Sequence, residues 1–300
     1  MIGACSDKTP RTTHFFRKEP QFMLRILSDT STLYSSQQAQ DAGFLVAPLS
    51  VTIAGKSYRE FDEISADQFV SIIREGNMPT SSQPAIGEVL ALYEQFPNDD
   101  ILNISMAAGL SGTYASAAAA ADLCEGRERI TVINSRTLCG PHRHIVEAAL
   151  RLAKEGADKD TVIRRVHELM NSAKSYLIPA DFAYLRRGGR LSPLVSYVGQ
   201  LTKMAPILTQ TENGEHLTIA GVRRSFRHAV RFVAKQLEPI GTGDGWHVYI
   251  THGATPQLAH EAHELLCAAF PAAHFELLPL SPAFITQGGP ACVAIQIVRS

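Results

Sequence analysis

The sequence carries no surplus of either charge. Its 300 residues hold 28 Lys and Arg against 29 Asp and Glu, a net charge of -1. It therefore offers no electrostatic footprint for wrapping nucleic acid or coating an anionic membrane. Cysteine is sparse: Cys5, Cys124, Cys139, Cys267 and Cys292 are scattered, odd in number and without a CxxC pair. That speaks against a disulfide framework and for reduced, buried thiols in a cytoplasmic protein. No apolar run approaches the roughly 18 residues that cross a bilayer. Neither GxxxxGK[ST] nor GxGxxG occurs, so nucleotide cradles of those kinds are unsupported. With 21 Gly and 16 Pro, collagen-like and low-complexity readings are also excluded.

What is present is globular composition, 45% hydrophobic and 19% charged. The length buries a large core without staples and suggests two domains of about 150 residues each. Residues 1–22 are polar, contain Pro10 and Pro20 and lack an apolar h-region. They read as a disordered extension and not as a secretory signal.

Beyond them, short β-type runs (24–28, 44–47, 50–53, 101–105, 130–134) alternate with helical patterns (35–42, 65–75, 84–95, 113–123, 141–155). That alternation predicts βαβ units around a mostly parallel sheet. Near-continuous apolar runs such as Ile130-Thr-Val-Ile133 suit strands buried on both faces. After a helix at 159–173 the rhythm changes. Strands are expected at 176–178, 205–210, 216–220, 246–251, 275–279 and 292–298, with helices at 226–238 and 256–269 and a loop at 241–245. The expected fold is an N-terminal parallel-sheet α/β domain, residues 23–172, followed by a C-terminal α+β domain, residues 173–300.

Four segments could carry chemistry. Ser28-Asp-Thr-Ser-Thr32 follows the first strand, where ligands sit in open α/β sheets, although its short polar side chains also suit a plain helix cap. Pro79-Thr-Ser-Ser-Gln-Pro84 places three hydroxyls ahead of a proline that fits a first helical turn. Free N–H groups there would make a carboxylate or phosphate site. Gly109-Leu-Ser-Gly-Thr-Tyr114 is a second such helix start. It differs from the G-x-S-x-G nucleophile elbow in that Thr113 stands where the last Gly should be, which leaves a hydrolase using Ser111 and a histidine as an alternative. Tyr184-Leu-Arg-Arg-Gly-Gly-Arg-Leu-Ser192 sets Arg186, Arg187 and Arg190 around a glycine break, suited to gripping a carboxylate or phosphate or simply solvated. Arg223-Arg224 is a weaker basic pair. Metal sites look poor: Cys139-Gly-Pro-His142-Arg-His144 has no second cluster, and His260-Glu-Ala-His263 has i,i+3 spacing where HExxH requires i,i+4.

Taken in order, these segments resemble the DegV family of bacterial fatty-acid-binding proteins. The likeness rests on Asp29-Thr-Ser-Thr32, Ala47-Pro-Leu-Ser-Val51, Glu63-Ile64, Thr80-Ser-Ser-Gln-Pro-Ala-Ile-Gly-Glu88, Leu110-Ser-Gly-Thr-Tyr114, Arg187-Gly-Gly-Arg-Leu-Ser192 and Lys203-Met-Ala-Pro206. The resemblance implies two α/β domains with one long-chain fatty acid between them, no catalysis and no cofactor. It implies a monomer, and in some members presentation of the acyl carboxylate to a partner fatty-acid kinase. A lipid-sensing regulatory module is a further alternative. Carried over by position, Thr80 and Ser81 would flank the carboxylate and Asp29, Thr30 and Ser31 would support that pocket. Ser111, Gly112 and Thr113 would line it, Arg190 would lie near the head, and Arg223 would match a second arginine more loosely. Two positions depart from the pattern. Ala107 and Ala108 stand where the family has a serine pair, and Gln287, in Gln287-Gly-Gly-Pro-Ala291, stands where it has a histidine. A related amphiphile, such as a hydroxylated or differently headed lipid, would fit as well as a plain fatty acid.

Overall fold

The computed structural model describes residues 23–192, 204–212 and 214–300. The expected extension at 1–22, which includes Cys5, and Lys203 of the Lys203-Met-Ala-Pro206 motif lie outside the described residues.

The first lobe is built on four parallel strands in the order β2-β1-β6-β7: β1 Leu24–Asp29, β2 Leu45–Ala47, β6 Asp100–Ser105 and β7 Ile130–Asn134. All six residues of β6 but the first are buried, as a strand covered on both faces requires. Helices α1 (Ser36–Ala42), α3 (Ile86–Glu94), α4 (Thr113–Leu123), α5 (Cys139–Lys154) and α6 (Lys159–Ser172) flank the sheet or connect its strands. Capping boxes define two helix starts, Ser35 with Gln38 at α1 and Ser65 with Gln68 at α2 (Ala66–Arg74). The alanine-rich α4 buries Ala117, Ala120 and Ala121 against Val89 and Tyr93 of α3, a close approach that small side chains permit.

The strand at Ser50–Ile53 (β3) does not join the parallel sheet. It pairs antiparallel with β4 (Lys56–Arg59) and β5 (Thr80–Ser82) in a separate three-stranded sheet. Ala54 and Gly55 both take positive φ, 50° and 74°, which gives the mirror-image turn that a two-residue hairpin requires.

The second lobe is a six-stranded sheet in the order β10-β9-β8-β13-β11-β12: β8 Lys174–Ile178, β9 Ala205–Gln210, β10 Leu217–Arg223, β11 Trp246–His252, β12 His274–Pro279 and β13 Val293–Arg299. Only β11 and β12 pair in parallel, joined by the crossover helix α9 (Pro256–Ala269). One face is covered by α9 and by α8 (Phe226–Leu237). In α8, Ala229, Val230, Val233, Ala234 and Leu237 recur at helical spacing and are buried on Val248, Ile250, Ile295 and Ile297. Each buried valine, leucine or isoleucine among them contributes on the order of 1.5–3 kcal/mol by leaving water.

Helix α5 packs on β1 of the first sheet and on β11 and β13 of the second, and α6 packs on α5 and β13, so the pair joins the lobes. The contact is tight at Gly140, where a Cβ would stand 2.2 Å from the Tyr249 ring. Two short helices, α7 (Phe182–Gly188) and α10 (Pro282–Gly288), were not expected. At seven residues each they are too short to display a helical period. Both face the space between the lobes.

Candidate functional site

A cavity of about 120 Å³ lies between the lobes. It is far larger than the roughly 10–15 Å³ that a single water needs. Leu49, Met106 and Leu138 enter it just beyond the carboxyl ends of β2, β6 and β7, the edge where open α/β sheets bind ligands. Leu177, Leu208 and Ala294 of the second sheet face them, and Leu185, Leu280 and Phe284 complete an apolar wall.

The mouth is ringed by polar groups that hold one another. Gln287, on α10, donates through Nε2 to the Ser81 hydroxyl on β5 at 3.0 Å. Gly188 lies so close to Gln287 that an added Cβ would clash with its Oε1. Arg190 donates to the Gly188 carbonyl and, through Nε, to the Leu110 carbonyl at 3.1 Å. Ser111 follows, and beside it a Cβ on Gly112 would stand 3.0 Å from the Gln83 side chain. The ring closes through Ser82 back to Ser81. Among the described residues that line the cavity, Arg190 alone carries a charge at neutral pH.

Four of the eleven residues expected to touch a ligand therefore line the cavity: Ser81, Ser111, Arg190 and Gln287. The other seven do not. Thr80 and Ser81 are not at a helix start. They belong to β5, whose alternation leaves Thr80 and Ser82 exposed and turns Ser81 inward, while α3 begins only at Ile86, with Ala85 as its cap. Gly112 lies behind the rim against Gln83, and Thr113 is buried with its hydroxyl 2.8 Å from that of Ser111. Arg223 lies over the Phe232 ring and donates to the Val222 carbonyl.

Asp29, Thr30 and Ser31 are at most 1% exposed and spend their polar atoms internally. The Asp29 carboxylate accepts from the Ser31 and Met106 backbone N–H groups at 3.0 and 2.9 Å, pinning the end of β1 to the end of β6. The Thr30 hydroxyl donates to Glu60 Oε1 at 2.5 Å and accepts from Leu49 N–H at 3.0 Å. Ser31 pairs with His142 Nδ1, whose other ring nitrogen lies 3.0 Å from the Ile104 carbonyl. The imidazole thus donates through Nε2 and accepts from Ser31, and burial keeps it neutral by lowering its pKa. This Ser–His pair is sealed from the cavity. Ser111, which does face the cavity, has Thr113 as its hydroxyl partner and, among the described residues, no histidine.

The site also contains groups that the sequence reading passed over. Glu60 is fully buried, and its Oε2 accepts the Ala283 N–H at 2.9 Å, so a first-lobe carboxylate holds the start of α10. Burial raises its pKa to about 7 against the pull of the Thr30 and Ser281 hydroxyls and the Ala283 N–H. Ser175, Gln210 and Gln296 line the cavity from the second sheet. Gln296 had a signal, a lone amide within the apolar run 293–298. Glu60 had none, because Arg59-Glu-Phe-Asp-Glu63 reads as a solvated charge run.

Cys139 and Cys292 are buried in the cavity wall. Burial raises both pKa values, that of Cys292 to about 12, so neither is a thiolate near neutrality. Cys124 is likewise buried, whereas Cys267 is only half-buried, 3.3 Å from His263. Among the described residues no group of three or more His, Cys, Asp or Glu is placed to hold a metal ion, and no helix is long and apolar enough to cross a membrane.

Comparison with known proteins matches this architecture. A family model described as "Uncharacterised protein, DegV family" covers residues 23–300. A DegV domain-containing protein of Listeria innocua is 28% identical over 277 residues, 91% of this chain and 97% of that one. The crystal structure of DegV, a fatty acid binding protein from Bacillus subtilis, superposes with a TM-score of 0.82 at 26% identity, over 93% of this chain and 100% of the other. A fatty-acid-binding DegV family protein from Thermus thermophilus shares the fold with a TM-score of 0.83 at 24% identity, over the same fractions.

Proposed function

The chain belongs to the DegV family, and on that footing we propose that it binds one long-chain fatty acid or closely related acyl lipid in the cavity between its lobes. The carboxylate lies at the rim, within reach of Arg190 and the hydroxyls of Ser81 and Ser111, and the alkyl tail runs inward over the leucines. One observation carries the reading: an apolar cavity whose single charged wall residue stands in a ring of hydroxyls and amides at its mouth. Each buried CH₂ contributes roughly 0.8 kcal/mol, so a tail of about 16 carbons offsets the cost of ordering the ligand. A carboxylate left unpaired in that space would cost several kcal/mol, which assigns Arg190 the head. No step of this function asks the protein to make or break a covalent bond.

Calorimetric titration with saturated fatty acids of increasing length tests the proposal. Affinity should climb with each added CH₂ until the cavity is full and then level off. Affinity independent of length, or no binding at any length, would overturn it.

A further inference from the structure

Strand register divides the cavity floor into two bands. Side chains on β8, β9 and β13 alternate between the faces of the sheet. Leu177 pairs with Leu208 on one side and Ala294 on the other, and all three line the cavity. Two residues along, Ser175 pairs with Gln296, and the β8–β9 register carried one step past Tyr176 and Thr209 sets Gln210 on its other side. These three line the cavity as well. An apolar band is thus followed, about 7 Å along the strands, by a polar one.

The polar band is fixed at its centre. Gln296 is 1% exposed. Its Oε1 accepts from the Gly140 N–H at 3.3 Å, and its Nε2 donates to the Leu138 carbonyl at 3.0 Å and to Ser175 Oγ at 2.9 Å. A backbone donor on one side and a backbone acceptor on the other leave the amide only one orientation. Ser175 therefore receives a hydrogen from Gln296 and keeps its own proton to give. The neighbouring Thr209 hydroxyl gives its own proton to the Ser175 carbonyl at 2.9 Å. A plain alkyl chain passing this point would leave the Ser175 proton unpaired or trap a water beside it, either of which weakens binding. A chain that carries an oxygen at this level satisfies it.

We propose that Ser175, supported by Gln296, is a second polar subsite, and that the ligand is an oxygenated long-chain fatty acid with a hydroxyl or keto group part-way along its chain. The inference rests on the acyl-lipid reading above and narrows its ligand class. It is tested by titrating the full chain, native and Ser175→Ala, with stearic acid and with monohydroxystearic acids that differ in hydroxyl position. The native protein should bind at least one hydroxy isomer as tightly as stearate or more tightly. Ser175→Ala should weaken that isomer five- to tenfold relative to stearate. The subsite is overturned if every isomer binds the native protein more weakly than stearate, or if Ser175→Ala changes stearate and the hydroxy acid alike. Failure of all the acids, stearate included, would instead overturn the acyl-lipid reading itself.

Discussion

Two hydroxyl-rich segments of this protein, Asp29-Thr-Ser-Thr32 and Thr80-Ser-Ser-Gln83, have similar side-chain chemistry and opposite fates. In the first, the Asp29 carboxylate and the hydroxyls of Thr30, Ser31 and Thr32 are all matched by internal partners, and every residue is buried. It locks strand ends together beneath the cavity. In the second, a three-residue edge strand turns only Ser81 inward, and its partner is another cavity-lining side chain, Gln287. What separates a hydroxyl spent inside the fold from one that lines the cavity is where its side chain points once the backbone has chosen helix or strand.

The contrast can be broken most forcefully at Asp29. Its carboxylate satisfies two buried backbone N–H groups, and charge-assisted bonds are worth about 1.5–3 kcal/mol each. Asp29→Ala should lower unfolding free energy in urea by at least ~3 kcal/mol. Loss of ligand without loss of stability would show that the segment binds after all.

Glu60 gives the next largest effect. Burial raises its pKa from an ordinary 4.5 to about 7 on folding, so between those values the folded state holds a proton that the unfolded chain has released. Its stabilisation is therefore complete below about pH 4.5 and is lost as pH rises toward 7, by roughly 3 kcal/mol at about 1.4 kcal/mol per unit. The stability difference between native protein and Glu60→Gln, followed by urea unfolding from pH 4.5 to 8, should change by about that amount. A difference independent of pH would contradict it.

At the rim the effects belong to binding. Arg190→Ala should weaken fatty-acid affinity ten- to hundredfold, the worth of a charge-assisted contact, with a much smaller change in unfolding free energy. Ser81→Ala should cost about 1 kcal/mol of affinity, near fivefold, and leave stability nearly unchanged. Equal losses of stability and affinity at both positions would erase the distinction between the two segments.

The fold was largely legible because its signals are local and repeated. The parallel strands are apolar runs, and long helices such as α6 and α8 carry both a side-chain cap and an apolar periodicity. The tertiary elements were hidden. Thr80–Ser82 has no apolar alternation and becomes a strand only because β3 supplies a backbone to pair with. Helix α10 is a short segment held by the opposite lobe through Glu60, and the equally short α7 packs on it. Of the residues expected at the site, Ser81, Ser111, Arg190 and Gln287 line the cavity, whereas Thr30 and Ser31 are buried among internal partners and Arg223 lies over the Phe232 ring. Polar residues set within strands, such as Ser175, come to notice only once the register places them on the cavity floor.

The most direct test of the central claim is a crystal structure of the protein with a long-chain fatty acid, read for the position of the head group. The account predicts the carboxylate within hydrogen-bonding distance of Arg190 and Ser81, with the alkyl chain against Leu177 and Leu208 and no contact to Thr30 or Ser31. A head group seated on the β1 end, or a cavity closed by the protein's own side chains with the acid elsewhere, would contradict it.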